Sequence, residues 1–165
     1  MKIIITLIFL IPASSLLAQE KLILKLLNQE LKREVQYLQK NPGFVGDTLI
    51  ILQPFTITEN KMLSVVVKKA MGSGQGYQII KQEAPLNKIE SILKDINVIL
   101  VTTDKDVAVT TTDVYHNNTT KTQEYNSDLF FLHLSSGQQN ERWQDKMIGA
   151  FSKAGVTLQK EIWAD

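Results

Sequence analysis

The side chains best suited to acid, base or metal chemistry gather around one predicted hairpin. Asp113 lies near the end of the strand pattern Val107 to Tyr115, His116 follows it, and Glu124 lies in the strand pattern that comes next. Antiparallel pairing of these strands brings Asp113, His116 and Glu124 close together. The three are therefore weak catalytic candidates. A solvated polar hairpin end is the simpler interpretation.

The second histidine, His133, alternates with Leu132 and Leu134 on the same predicted face as Leu129 and Phe131. The chain has no pair of histidines at helical spacing and no cysteine, so the usual zinc motifs are absent from it. No metal site and no cofactor are predicted. The sequence carries no catalytic signature, and this favours a protein that is not an enzyme.

A glycine-rich stretch at 72–76 is the most suggestive local motif. Its spacing fits neither a P-loop nor a dinucleotide fingerprint, and Gly-Ser-Gly around Ser73 does not form a nucleophile elbow. A mobile hairpin loop is one interpretation. A ligand or partner contact through the backbone at Gly74 is the other.

Hydroxyl side chains concentrate on the two central hairpins. Threonines have high β propensity, and exposed aromatic residues beside them are typical of binding surfaces. We predict a ligand or partner surface built from Tyr115, Tyr125, Thr110, Thr112 and Gly74. Asn117 and Asn118 each begin an N-glycosylation sequon, which matters only in a source that glycosylates exported proteins.

The first 18 residues have the pattern of a secretory signal peptide. Lys2 precedes the apolar run from Ile3 to Ile11, and small residues lead to Ala18. We predict cleavage after Ala18, with cleavage after Ser15 as the alternative. The expected location is secreted or periplasmic, without a lipid anchor because no cysteine is present.

Composition excludes some classes of partner. Cleavage leaves 147 of the 165 residues, enough for one domain at 19–165 without disulfide staples. Without Lys2 the mature chain has 17 basic and 17 acidic side chains, so we expect no nucleic-acid partner. No second apolar stretch is long enough to span a membrane.

The element pattern predicts an α+β fold in the order α-βββ-α-βββ-α-β, with helices covering a mostly antiparallel sheet. An amphipathic helix is expected at 19–40, and a sheet-centred core at 48–165. Strands are predicted at 48–58, 62–69, 77–81, 96–103, 107–115, 124–134 and 156–163, and helices begin at Pro85 and near Ser136. The helix at 19–40 packs on its own sheet or, alternatively, docks or dimerises. Trp143 and Phe151 are predicted core residues.

These features favour an exported, non-enzymatic binding or interaction protein, such as an envelope adaptor, an inhibitor or an immunity-type protein. Its expected partner is another exported or envelope protein. The alternative is a small exported hydrolase or ligand-binding protein with its site at the 113–124 hairpin end. The sequence does not fix the oligomeric state.

Overall fold

The computed structural model describes residues 14–41, 49–135 and 141–164, and these form two helices and nine strands. The predicted α+β class with mostly antiparallel sheets is confirmed. In chain order the elements are α1 (Ser14–Lys40), β1 (Ile50–Ile57), β2 (Met62–Ala70), β3 (Gly76–Pro85), β4 (Ile89–Lys94), β5 (Val98–Thr102), β6 (Val107–Tyr115), β7 (Thr120–Ser127), β8 (Leu129–Phe131), α2 (Glu141–Lys153) and β9 (Gln159–Trp163).

The strands form two sheets rather than one. The first, sheet A, has five antiparallel strands in the order β1-β2-β3-β6-β7. The second, sheet B, has the order β8-β5-β4-β9, in which only the β4–β9 pair is parallel. The rings of Phe55 in β1 and Phe130 in β8 lie 6.4 Å apart and join the two sheets within one hydrophobic core.

Helix α1 begins at Ser14, before the predicted start at Gln19, and its apolar face packs into the domain's own core. Ile23, Leu27 and Leu31 are fully buried, which confirms the internal packing of this helix. Asn28 also caps the outer edge of sheet A. Its side-chain amide donates to the carbonyl of Phe55 at 2.9 Å and accepts from the Phe55 N–H at 2.8 Å.

Strand β1, which contains Pro54, lies at the edge of sheet A. β1 pairs only with β2, and its register shifts on both sides of Gln53. Proline has no N–H to donate to a ladder, so it is tolerated only at such an edge or bulge. The Asn28 amide bonds the strand at Phe55, within its irregular part between Gln53 and Thr56.

The helix predicted to begin at Pro85 is wrong. Leu86–Lys88 form a single 3-10 turn, and Ile89 begins strand β4 between β5 and β9. Ser91, Ile92 and Lys94 are buried, so both faces of β4 are covered, and a register shift between Ile89 and Ser91 interrupts the alternation that would identify a strand. The spacing of Leu86, Ile89 and Ile92 resembled a helical stripe for this reason. The predicted element order is accordingly incorrect in its middle.

The strand predicted at 124–134 is two strands in different sheets. β7 is polar and exposed in sheet A, whereas β8 is apolar and pairs with β5 in sheet B. Asp128 holds the crossover, because its carbonyl accepts from Thr102 N–H at 2.8 Å and its carboxylate from Lys105 N–H at 2.8 Å. The turn at 104–106 consequently links the two sheets and does not close a hairpin.

The last helix agrees with its predicted apolar stripe. Trp143, Met147 and Phe151 are buried in the core, and Gly155 ends the helix with a positive φ of 82°. Val156 N–H donates to the Phe151 carbonyl at 3.0 Å, as in a Schellman motif. The predicted start of this helix near Ser136 lies outside the described residues. The final strand, β9, is an edge strand of sheet B.

One glycine is required by the packing of β3 against β6. A Cβ added to Gly76 would lie 2.0 Å from the Val114 carbonyl oxygen, and its φ of 145° disfavours other residues. We expect Gly76→Ala to reduce the free energy of unfolding by about 1 to 3 kcal/mol in chemical denaturation. Gly72→Ala is the control, since nothing lies within 4 Å of its added Cβ. Equal effects of the two substitutions would contradict this packing.

Candidate functional site

The structure does not bring the three acid-base candidates together. In the β6–β7 register Thr110 lies opposite Glu124 and Asp113 lies opposite Lys121. Paired residues share a face and successive residues alternate, so Asp113 and Glu124 project from opposite faces of sheet A. Asp113 accepts a 2.7 Å hydrogen bond from Gln78. Glu124 is exposed on the outer face.

His116 lies beside the glycine loop at 72–76. Its Nε2 is 2.5 Å from the carbonyl oxygen of Gly74, so Nε2 carries the proton and donates. The ring is exposed and joins the β2–β3 loop to the β6–β7 turn. This hydrogen bond gives His116 a role in fastening two turns to each other.

The predicted hydroxyl and aromatic surface is divided between the two faces of sheet A. Thr110 and Thr112 point to the outer face, where Thr112 bonds Thr122 at 3.1 Å. Tyr115 and Tyr125 share the inner-face parity with Val109, which Tyr125 opposes. Tyr115 lies six residues along β6 from Val109, about 20 Å at strand spacing. These residues therefore do not form one continuous patch.

A groove in the inner face of sheet A contains the most unusual polar groups of the described chain. We call it the Lys69–His133 groove, after residues that line it. Its cavity volume is about 250 Å³. The polar lining residues are Lys69, Gln78, Gln82, Asn97, Thr111, Tyr125, Ser127 and His133. The apolar lining residues are Ile80, Val109, Leu129 and Phe131.

The groove continues outward into a more open depression of about 360 Å³. Lys69 and Gln78 line both cavities, and Gly72 and Asp113 line the outer one. Together the two volumes fall within the range of roughly 300 to 1,000 Å³ that small-molecule sites occupy. The glycine loop and one of the predicted acidic residues thus lie at the mouth of this groove.

Strand β3 supplies the floor of the groove because alternate residues point inward. Gln78, Ile80 and Gln82 lie on one side of β3, opposite Lys69, Val67 and Val65 of β2. The side chain of Gln82, 2% exposed, pairs with the backbone of Phe131. Its Nε2 donates to the Phe131 carbonyl at 2.9 Å, and its Oε1 accepts the Phe131 N–H at 3.0 Å. The Gln82 amide thus bonds the outer backbone groups of β8 at Phe131, as the Asn28 amide bonds those of β1 at Phe55.

The same amide fixes the tautomer of His133. Because Phe131 N–H identifies the oxygen end of Gln82, the Nε2 end faces His133 Nε2 at 3.1 Å and donates to it. His133 is thus the neutral tautomer with its proton on Nδ1. Burial, and secondly the charge of Lys69, lowers the pKa of His133 to about 3. The His133 backbone has a positive φ of 57°, and the residue is 5% exposed.

Two hydroxyls in the groove make no hydrogen bond to other described residues. Thr111 lies on the inner face and is 9% exposed, and Tyr125 stands at the rim, 52% exposed. Both are available to donate to a ligand acceptor. Lys69 lines the same cavity and contributes a positive charge to it. The groove therefore combines apolar walls, hydroxyl donors and one cation.

Sequence reasoning missed most of this site. Gln78 and Gln82 share the period of two that a strand requires, but the predicted strand ended at Lys81 and left Gln82 outside it. Of the predicted surface residues, Tyr125 lines the groove. Gly72, two residues before Gly74, lines the outer depression.

Within the described ranges no three His, Asp or Glu side chains are placed to hold a metal ion. The described helices include none long and apolar enough to span a membrane.

Comparison with known proteins gives no relative for this chain. No protein-family model matches it, and neither the curated proteins nor the solved structures yield a significant match.

Proposed function

We propose that this protein is an exported, non-enzymatic binding protein that holds a small amphipathic carboxylic acid in the Lys69–His133 groove. Export is supported by the signal-peptide pattern of residues 1–18. The observation that carries the proposal is the groove itself, in which a buried, fully oriented amide and imidazole lie between apolar walls. Few convergent polar groups in an apolar cavity are typical of ligand sites.

The polar groups select the head group of the ligand. The hydroxyls of Thr111 and Tyr125 donate to acceptor oxygens, and the Lys69 charge favours an anion in the cavity. Ile80, Val109 and Phe131 offer apolar contact to the rest of the molecule. A carboxylate with a hydrocarbon chain of medium length, such as octanoate, satisfies both requirements.

The same geometry argues for binding without catalysis. A general base acts best with a pKa near the working pH, and the pKa of His133 is lowered to about 3. Its Nε2 already accepts the Gln82 hydrogen bond. Asp113 and Glu124, on opposite faces of sheet A, supply no paired carboxylates for hydrolysis.

Titration with octanoate, followed by amide chemical shifts, tests the proposal. We expect saturable shifts at the groove, and none with octylamine, which has the same chain and the opposite charge. Thr111→Phe fills the cavity and is expected to weaken octanoate binding at least about tenfold, or 1.4 kcal/mol. Thr112→Phe is the matched control, because the next residue points to the outer face.

Two results would contradict this function. One is octanoate binding that both phenylalanine variants weaken equally. The other is equal binding of octylamine and octanoate, which would show that the charge of Lys69 does not select an anionic head group. Unfolding of each variant is measured in parallel, so that loss of binding is separated from loss of structure.

A further inference from the structure

Among the described strands, β7 is the long edge strand that has neither a register shift nor a side-chain hydrogen bond to its outer backbone groups. The β1 edge is bonded by Asn28 and the β8 edge by Gln82. β9 is a short edge strand at the other end of sheet B. β7 pairs with β6 over its whole length, Thr120–Ser127, without a register shift. It also contains no proline.

The direction of its backbone groups follows from the ladder. Tyr115 N–H donates to the Thr119 carbonyl at 3.0 Å, so Tyr115 and Thr119 form a hydrogen-bonded pair. Such pairs alternate along an antiparallel ladder. The odd-numbered residues of β7 therefore bond β6, and Thr120, Thr122, Glu124 and Asn126 direct their N–H and C=O groups to the open edge.

A regular strand with free backbone groups along one side is a template for another strand. We propose that β7 pairs antiparallel with β7 of a second copy of this chain, so that two five-stranded sheets join into one. A two-fold axis perpendicular to the sheet allows only registers that pair residues of the same parity, because facing residues must share a face. This inference does not depend on the proposed ligand.

Charge selects one register among these. Centring the pair on Glu124 places two glutamates opposite each other, and centring it on Lys121 opposes two lysines, and like charges directly opposite are destabilising. Centring on Gln123 places Thr122 opposite Glu124 and Lys121 opposite Tyr125. This is the longest register without a like-charge pair. Each strand carries one Lys and one Glu, so the edge is complementary to itself.

The register has a consequence at the groove. Tyr125 lines the Lys69–His133 groove, and its facing residue in the pair is Lys121 of the partner subunit. A lysine near an aromatic face is attracted to the ring. Each groove in the dimer thus has a second cation at its rim.

Sedimentation equilibrium of the purified protein, from micromolar to millimolar concentration, tests the pairing with three substitutions at one exposed position. Thr122→Lys places a lysine opposite Glu124 and should tighten the dimer about threefold to tenfold, whereas Thr122→Glu should weaken it by a similar factor. Thr122→Pro removes an outward N–H that β6 does not use, and should abolish the dimer while the monomer stays folded.

Circular dichroism and unfolding curves verify that each Thr122 variant is folded. A wild-type protein and Thr122→Lys variant that remain monomeric at every concentration would overturn the proposal. So would a dimer that Thr122→Pro leaves intact, because it would use another surface. A dimer that Thr122→Lys weakens would overturn the Gln123-centred register, since lysines would then face each other.

Discussion

Replacing Phe151 by alanine is expected to lower the free energy of unfolding by about 3 to 5 kcal/mol, as removal of a fully buried aromatic side chain typically does. Phe151 is 0% exposed, and it lies on the face of α2 that also buries Trp143 and Met147. Its carbonyl accepts the Val156 N–H that ends the helix. The substitution leaves a cavity where α2 meets the core of the domain.

Urea unfolding monitored by tryptophan fluorescence measures this loss. Ser152→Ala is the control, because Ser152 is the next residue of α2 and is exposed. Its effect should stay within about 0.5 kcal/mol. A loss below about 1 kcal/mol for Phe151→Ala would show that α2 does not pack as described.

Acid should destabilise the protein through His133. The pKa of His133 is lowered to about 3 in the folded protein, mainly by burial, from 6.5 in an unfolded chain. Between these values the unfolded state binds a proton that the folded state does not. The stabilising contribution is complete above pH 6.5 and decreases as the pH falls toward 3. It amounts to about 1.4 kcal/mol per pH unit, or about 3 kcal/mol between pH 6.5 and 4.5.

His133→Asn isolates this contribution. Asparagine tolerates the positive φ of residue 133, and it does not titrate. We expect the unfolding free energy of this variant to depend on pH less steeply than that of the wild type. The difference between the two slopes should be about 1.4 kcal/mol per pH unit below pH 6.5. His116→Asn, at an exposed site, should leave the steep dependence unchanged. Parallel pH profiles for the wild type and His133→Asn would contradict the buried, neutral imidazole.

The sequence predicted those elements whose local pattern agrees with their environment. Strand β6 has its predicted ends at Val107 and Tyr115, because one of its faces is buried and the other exposed. The apolar residues of helix α2 recur with an equally clear helical period. In these segments local propensity and tertiary packing favour the same structure.

The secondary-structure predictions were wrong in two kinds of segment. In one, burial on both faces removes the alternation of apolar and polar residues, and in the other the chain passes from one sheet to the other. Ile89 and Ile92 of β4 fit a helical spacing as well as a strand buried on both sides. The division between β7 and β8 depends on which sheet each half joins, and no local signal at Asp128 specifies this. Pairing between strands that are distant in the sequence determines which sheet each strand joins, and the local pattern of a single sequence does not reveal that pairing.

The candidate site was recognised only in fragments for a related reason. Gln82 lies 49 residues from Phe131 and 51 from His133 in the sequence, and the hydrogen bonds between them require β3 to lie against β8 across the two sheets. A buried glutamine also has no recognisable motif. Its role becomes visible only when its amide is seen to pair with a strand edge.

The central claim is that a small acid occupies the Lys69–His133 groove with its chain against the apolar wall. Nuclear Overhauser effects between ¹³C-labelled octanoate and the protein test it most directly. We predict contacts from the octanoate methylene and methyl groups to Val109, Ile80 and the Phe131 ring, all of which line the cavity. Contacts confined to outer-face residues such as Thr112 and Tyr77, or none at saturating octanoate, would contradict the claim.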